Sequence, residues 1–258
     1  MIGARGGLGS NHGREVKGPE NCVLSDCVSG PSPWFVCGGT LKRNRRFTTE
    51  PFEDILRRGG AVALEQAGRF FMRDDPVHQS LRRISQKLGQ LGIPHAVAGG
   101  MALVAHGYDR TTVDVDILVT AEGLRQTHEA LDGLGYVPPF PGSKQLRDVE
   151  TGVRIEFLVS GQFPGDGKPK PVAFPNPANI ATEIDGIRYL NLPTLIELKL
   201  ASGMTNPGRL RDLADVQELI RVLQLPADFA GNLNPFVRPK YSELWSGVRQ
   251  DESDNPSI

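Results

Sequence analysis

Residues 95–119 constrain this chain more than any other stretch. They read as a short buried strand, His95-Ala96-Val97-Ala98, a Gly99-Gly100 turn, a helix over 101–107 and a second strand over 113–119. The second strand carries two acids inside an apolar run, Val113-Asp114-Val115-Asp116-Ile117-Leu118-Val119. Side chains alternate faces along a strand, so Asp114 and Asp116 project together while Val113, Val115 and Ile117 point to the core. A fold that accepts this run must bury one face of the strand and leave the other lining a polar space.

The remaining pattern supplies elements to build around it. A helical stretch over 53–72 contains Gly59-Gly60, which weakens it. Pro76 opens a firmer helix over 76–91, with Val77, Leu81, Ile84, Leu88 and Leu91 on one stripe and Gly92 at its end. An amphipathic helix is expected over 121–134, with Leu124, Leu131 and Leu134 on one side and Gly135 closing it. Strands 145–149 and 153–159 form a hairpin around Glu150-Thr151-Gly152, and 183–184 pairs with 187–190 around Asp185-Gly186, a strong turn signal. Between these hairpins, 161–179 is a loop rich in proline and glycine. Helices follow over 193–202 and 208–223, the latter with Leu210, Leu213, Leu219, Ile220 and Leu223 on its apolar side; an aromatic patch (241–245) and a polar tail end the chain. This order describes a mixed α/β fold, in the α+β sense, with flanking helices and a helical C-terminal part.

Two carboxylates about 7 Å apart at their Cα atoms on a rigid strand repel each other unless a cation lies between them. Magnesium suits such a pair, since it takes one or two carboxylates and completes its shell with water and phosphate oxygens. An isolated Asp-x-Asp equally describes a solvated strand face. Gly99-Gly100 at a strand-to-helix turn lets a phosphate approach the backbone, although such turns are common. A third acid, Glu156, lies opposite Val153, Ile155 and Phe157 on its strand; it could serve the same site or pair with Arg110 or Arg154.

Ala98-Gly99-Gly100, thirteen residues, then Asp114-Val115-Asp116-Ile117 resembles the signature of the polymerase β-like nucleotidyltransferase superfamily. The resemblance covers about residues 76–223 and implies a domain with a mixed sheet and flanking helices. It also implies transfer of a nucleoside monophosphate from an NTP, such as ATP, to an acceptor hydroxyl. Asp114, Asp116 and Glu156 would be the catalytic carboxylates holding two Mg²⁺ ions, with Glu156 a metal ligand or general base. Gly99, Gly100, Arg110 and Lys199 would contact the nucleotide. Lys199, within Leu195-Ile196-Glu197-Leu198-Lys199-Leu200-Ala201, and the run Arg209-Leu210-Arg211-Asp212-Leu213-Ala214-Asp215 look like motifs of the AbiEii-type toxin branch. In that likeness Asp212 and Asp215, three apart and so on one helical face, would face the site from the last helix, with Arg209 beside them; the residues alone also allow a surface pair of Arg211 with Asp215. Met101 departs from the small residue usual after the glycines.

The toxin likeness implies an RNA 3′ end as acceptor and an antitoxin or regulator protein as partner. Charge bears on that choice. The whole chain carries 29 basic and 30 acidic residues, but residues 51–258 alone net −4. An RNA strand needs a basic groove, whereas an acidic domain suits a cationic small molecule, as in antibiotic-modifying members of the superfamily. A catalytically silent nucleotide-binding module is the alternative from another class. Residues 1–50, with nine glycines and a basic run at 42–46, read as a disordered or mis-annotated extension. Cys22, Cys27 and Cys37 fall there, without zinc spacing, and their odd number fits a reducing cytoplasm. No apolar run approaches the ~20 residues of a membrane span, and the first residues lack a signal peptide's apolar segment. The expected division is a nucleotidyltransferase core over 51–192, a helical part over 193–248 and a tail over 249–258.

Overall fold

A computed structural model describes residues 50–254. The expectations for the leader, its cysteines and its basic run fall on residues 1–49, outside the described residues. Helix α1 (Phe52–Arg57) and α2 (Gly60–Phe71) replace the single expected helix, because Gly59 and Gly60 both take positive φ and break the chain between them. Helix α3 (Pro76–Gln90) begins on Asp75, whose carboxylate accepts from the amides of Val77 and His78 at 2.8 and 3.2 Å. Its stripe of Val77, Leu81, Ile84 and Leu88 is fully buried, whereas Leu91 is exposed. Strand β1 (His95–Val97), α4 (Gly99–Ala105), β2 (Asp114–Val119) and α5 (Ala121–Leu131) follow.

Helix α5 stops three residues before its expected end. Gly133 and Gly135 both adopt positive φ, the chain turns, and Leu134 is left exposed instead of joining Leu131 in the core. The turn feeds β3 (Tyr136–Val137), a strand too short to read from periodicity. Strands β4 (Gln145–Asp148) and β5 (Arg154–Val159) form the expected hairpin, and β6 (Ala181–Ile184) and β7 (Ile187–Leu190) form the other. Asp185 and Gly186 have φ of 52° and 74°, the paired positive values of a tight two-residue turn. Helices α6 (Leu192–Thr205), α7 (Leu210–Val222) and α8 (Arg238–Asp254) complete the structure. Leu210, expected on the apolar side of α7, is exposed, and Val216, Leu219 and Ile220 carry that face.

Among the described residues seven strands make one mixed sheet in the order β3-β4-β5-β2-β1-β7-β6. Strand β2 runs parallel to β5 and antiparallel to β1, at the centre. Val115 and Ile117 of β2 and Ile155 and Phe157 of β5 pack with Leu81, Ile84 and Leu88 of α3 in one continuous core. Ile196 and Leu200 of α6, Val216 and Leu219 of α7 and Tyr241 of α8 belong to the same core. This is the mixed α/β architecture with flanking helices and a helical C-terminal part that the element order implies. Among the described residues no helix is long and apolar enough to cross a membrane.

Candidate active site

A cavity of about 640 Å³ opens where β2 and β5 meet α6 and α7. Every residue singled out from the sequence lines it: Asp114, Asp116, Glu156, Gly99, Gly100, Arg110, Lys199, Arg209, Asp212 and Asp215. They arrive from five segments spread over more than a hundred residues, so the sheet order and the docking of α6 and α7 assemble them.

The strand wall is built by register. Asp114 lies beside Arg154, and Asp116 beside Glu156, across the parallel β2–β5 pair. Asp114 is engaged: Arg154 Nη2 donates to its Oδ2 at 2.5 Å and Thr112 Oγ1 to its Oδ1 at 3.0 Å. Asp116 and Glu156 have no side-chain hydrogen bond or ion pair among the described residues. Burial, then the neighbouring charges of Asp114 and Glu156, push the Asp116 carboxyl up to about 7 against the opposing pull of Lys199 and Arg154.

Gly99 has a specific reason to be glycine. Its φ is +57°, and a Cβ there would lie 1.7 Å from Asp116 Oδ2. The glycine turn therefore makes room for the carboxylate as well as leaving the backbone bare toward the cavity. A Cβ on Gly100 would likewise meet Thr112 at 2.7 Å, although the backbone there is ordinary. Helix α4 starts without a side-chain cap, unlike α3, α5 and α6, which are capped by Asp75, Thr120 and Asn191.

The helix wall is a closed charge network. Lys199 Nζ donates to Asp212 Oδ1 at 3.0 Å and Asp215 Oδ2 at 2.7 Å. Arg110 Nη1 reaches Asp215 Oδ1 at 2.5 Å, and Ser202 Oγ donates to Asp212 Oδ2 at 2.7 Å. Arg211 does not pair with Asp215, and neither Arg110 nor Arg154 pairs with Glu156: Arg110 bonds Asp215 and Arg154 bonds Asp114. Asp212 and Asp215 share a face of α7, which is not the last helix, since α8 follows it.

Sequence reasoning missed several residues of the cavity. Thr112 and Arg154 each stand two positions from a chosen acid, and strand alternation could have found them. Arg211, with Arg209 at the rim, has no side-chain hydrogen bond or ion pair among the described residues. The loop 161–179 also contributes: Pro164 and Gly165 line the cavity, and Gly165 packs so closely on α6 that a Cβ would meet the Ser202 carbonyl at 2.7 Å. Lys170 holds the loop there, donating to the Pro164 carbonyl at 2.6 Å and Thr205 Oγ1 at 3.0 Å.

The donor chemistry fits a hard divalent cation, with carboxylate oxygens in surplus at Asp116 and Glu156. Among the described residues no three His, Cys, Asp or Glu groups converge closely enough to hold a metal ion as they stand. Asp114 is the acid visibly committed elsewhere, to Arg154 and Thr112. Arg110 and Arg154 each also leave a buried Nε–H without a partner among the described residues.

No family model matches the chain, and no curated protein matches it. Solved structures similar to it include ANT(2″)-Ia in complex with adenylyl-2″-tobramycin, at 12% identity and a TM-score of 0.42, covering 67% of this chain and 97% of that one. Another is an antigenic nucleotidyltransferase-like protein from Paracoccidioides brasiliensis, at 18% identity and a TM-score of 0.41, covering 69% of this chain and 89% of that one. Likeness at this level leaves the chemistry of the cavity to its own residues.

Proposed function

We propose that this chain is a metal-dependent nucleotidyltransferase of the polymerase β-like kind, moving a nucleoside monophosphate from an NTP to an acceptor hydroxyl with release of pyrophosphate. One observation carries the reading: Asp116 and Glu156 stand in register on adjacent strands, unpaired, beside Asp114 and against the bare backbone of Gly99. Solvated strand faces do not need a glycine carved out to admit an acid.

Asp114, Asp116 and Glu156 would hold magnesium, two ions in the full reading. When bound, magnesium neutralises triphosphate charge and lowers the pKa of the acceptor hydroxyl. Asp114, which already lines the cavity, would exchange its bond to Arg154 for the ion, and the Arg154 guanidinium would then be available to a phosphate oxygen. Glu156, otherwise unpaired, is the group best disposed to orient the acceptor hydroxyl and take its proton. Gly99 and Gly100 leave room for the triphosphate beside the turn. Lys199 and Arg110 are already balanced by Asp212 and Asp215, so their first role is to fix the helix wall. Arg209 and Arg211, unpaired at the rim, are better placed to offset charge on departing pyrophosphate.

The acceptor follows one of two readings. A toxin-like enzyme would extend an RNA 3′ end and be held by an antitoxin or regulator. The net charge of −4 over residues 51–258 favours the second, a cationic small molecule of the aminoglycoside kind. The test incubates the full chain with Mg²⁺ and each labelled NTP in turn, with total RNA in one series and aminoglycosides in another, and repeats the set with Asp114→Ala. Transfer to one pool, lost in the variant, identifies both activity and acceptor. A folded protein that labels neither pool is a binding module instead.

A further inference from the structure

A second cavity, of about 450 Å³, lies between α3, α4 and the β6–β7 hairpin and shares no lining residue with the first. Its inner surface is apolar at Leu81, Met101 and Ile187. Into this surface is set Ser85, which is only 8% exposed and whose Oγ has no hydrogen-bond partner among the described residues. A buried hydroxyl without a partner forfeits the hydrogen bonds it made to water, and a ligand that bonds it would recover them.

The rim adds positive charge that the fold leaves partly unused. Arg188 has no side-chain hydrogen bond or ion pair among the described residues; Glu183 stands opposite it in the hairpin register without bridging to it. Among the described residues Arg82 reaches only the Arg73 carbonyl, at 3.3 and 3.4 Å, and Arg73 makes a long exposed contact of 3.3 Å to Asp185. His95 also faces the cavity, its Nδ1 committed to the Ile93 carbonyl at 2.9 Å. The volume falls within the range of small-molecule sites, which combine an apolar lining with a few convergent polar groups.

We propose that this cavity is a second ligand site for a small organic anion. The apolar body of the ligand covers Leu81, Met101 and Ile187, a polar group on it bonds Ser85 Oγ, and its phosphate or carboxylate meets Arg82 and Arg188. The site is independent of the transferase reading, because none of its residues touches the first cavity.

The test titrates the full chain with 1-naphthyl phosphate and 1-naphthoate, following probe fluorescence and heat, with inorganic phosphate and 1-naphthol as the head and body alone. Saturable binding of one anionic naphthyl probe, at least about tenfold tighter than either fragment, is expected. Arg82→Ala with Arg188→Ala should weaken it about tenfold or more. Ser85→Ala should weaken it about three- to tenfold while raising the melting temperature of the free protein, since an unsatisfied buried hydroxyl is removed. That pairing separates a ligand contact from a packing defect, and it survives if the double arginine variant fails to fold. Absence of binding by both anionic probes overturns the proposal. So does a loss that follows Arg209→Ala and Arg211→Ala instead, which would seat the probe in the first cavity, or inorganic phosphate binding as tightly as the naphthyl probes.

Discussion

The two walls of the candidate active site treat charge in opposite ways. On the helix wall, two carboxylates meet two cations: Asp212 and Asp215 are answered by Lys199 and Arg110, with Ser202 adding a hydrogen bond. On the strand wall, three carboxylates share one guanidinium, and Arg154 is committed to Asp114. Asp116 and Glu156 are left facing one another across the register. Buried charge that is balanced holds a structure in one arrangement; buried charge that is unbalanced is tolerated where something else will bind. The helix wall is thus a frame, and the strand wall is where chemistry is expected.

The sharpest way to break this contrast is to neutralise one acid on the strand wall. Asp116→Asn should reduce nucleotide transfer by about 10³-fold or more, a loss of ~4 kcal/mol of transition-state stabilisation. The same change should leave metal-free stability at pH 8 equal or higher, because the ionised carboxylate is disfavoured among Asp114 and Glu156. Single-turnover transfer and urea unfolding read the two effects. A variant that loses activity only because it unfolds would erase the distinction between the walls.

The matching change on the helix wall should act on stability first. Lys199→Met leaves the buried Asp215 and the partly buried Asp212 with Arg110 and Ser202 as their remaining partners, and should cost about 3–5 kcal/mol of unfolding free energy. If urea unfolding moves by less than ~1 kcal/mol, the network is solvated in practice and is not a frame. Gly99→Ala tests the contact between the turn and the strand wall. Its Cβ cannot coexist with Asp116 Oδ2 at 1.7 Å, and its φ of +57° disfavours any side chain. The expected cost is about 1–3 kcal/mol of stability from the strained backbone, together with a transfer rate lowered about 10–100-fold through a displaced Asp116.

Much of the strand wall was legible because strands obey a short, local rule. Alternation by two put Asp114 and Asp116 on one face and Val115 and Ile117 in the core, and the structure repeats that partition. The helix wall was legible only as a list of residues. No local rule says that Arg110, over a hundred positions away, will reach Asp215, because that contact is set by how α7 docks on the sheet. Other misses were local. Tyr241, Leu244, Trp245 and Val248 have helical spacing and fall within the expected helical part over 193–248, yet their polar flanks let them read only as an aromatic patch with no helix assigned; they anchor α8, which runs past residue 248 into the expected tail, to Asp254. Tyr241 Oη donates to the Pro226 carbonyl at 3.0 Å and Trp245 Nε1 to the Leu225 carbonyl at 2.9 Å, so both large side chains bury their polar ends as well. The 161–179 loop gave no periodic signal, and its part in the cavity depends on Lys170 and Gly165 meeting α6.

The surplus charge on the strand wall also predicts a pH dependence with a definite sign. Asp116 rises from its ordinary 3.8 to about 7 in the folded chain. Between those values the folded state keeps a proton that the unfolded state has lost, so this group's contribution to stability falls as pH rises from about 4 to 7. Magnesium competes with that proton. The melting-temperature gain from saturating Mg²⁺ should therefore be larger at pH 8 than at pH 6, and the difference should vanish in Asp116→Asn. Equal gains at both pH values would mean that the cation binds away from Asp116.

The smallest effect should come from Arg154, the single cation on the deficient wall. Its side chain is about a third exposed, so its pair with Asp114 adds little to stability. Its effect should instead be on what Asp114 can do. While Arg154 holds Oδ2, that acid presents less negative charge to an incoming ion, and among the described residues no three-acid group converges. Arg154→Gln should free Asp114, tightening Mg²⁺ binding about three- to tenfold at pH 8, the equivalent of roughly 1 kcal/mol. Transfer should not improve in parallel, because the guanidinium released from Asp114 is itself a phosphate donor. Calorimetric titration with Mg²⁺ alone separates the two roles. Weaker binding in the variant would show that Arg154 orients Asp114 for the metal, and the strand wall would then be a prepared site with its own internal support.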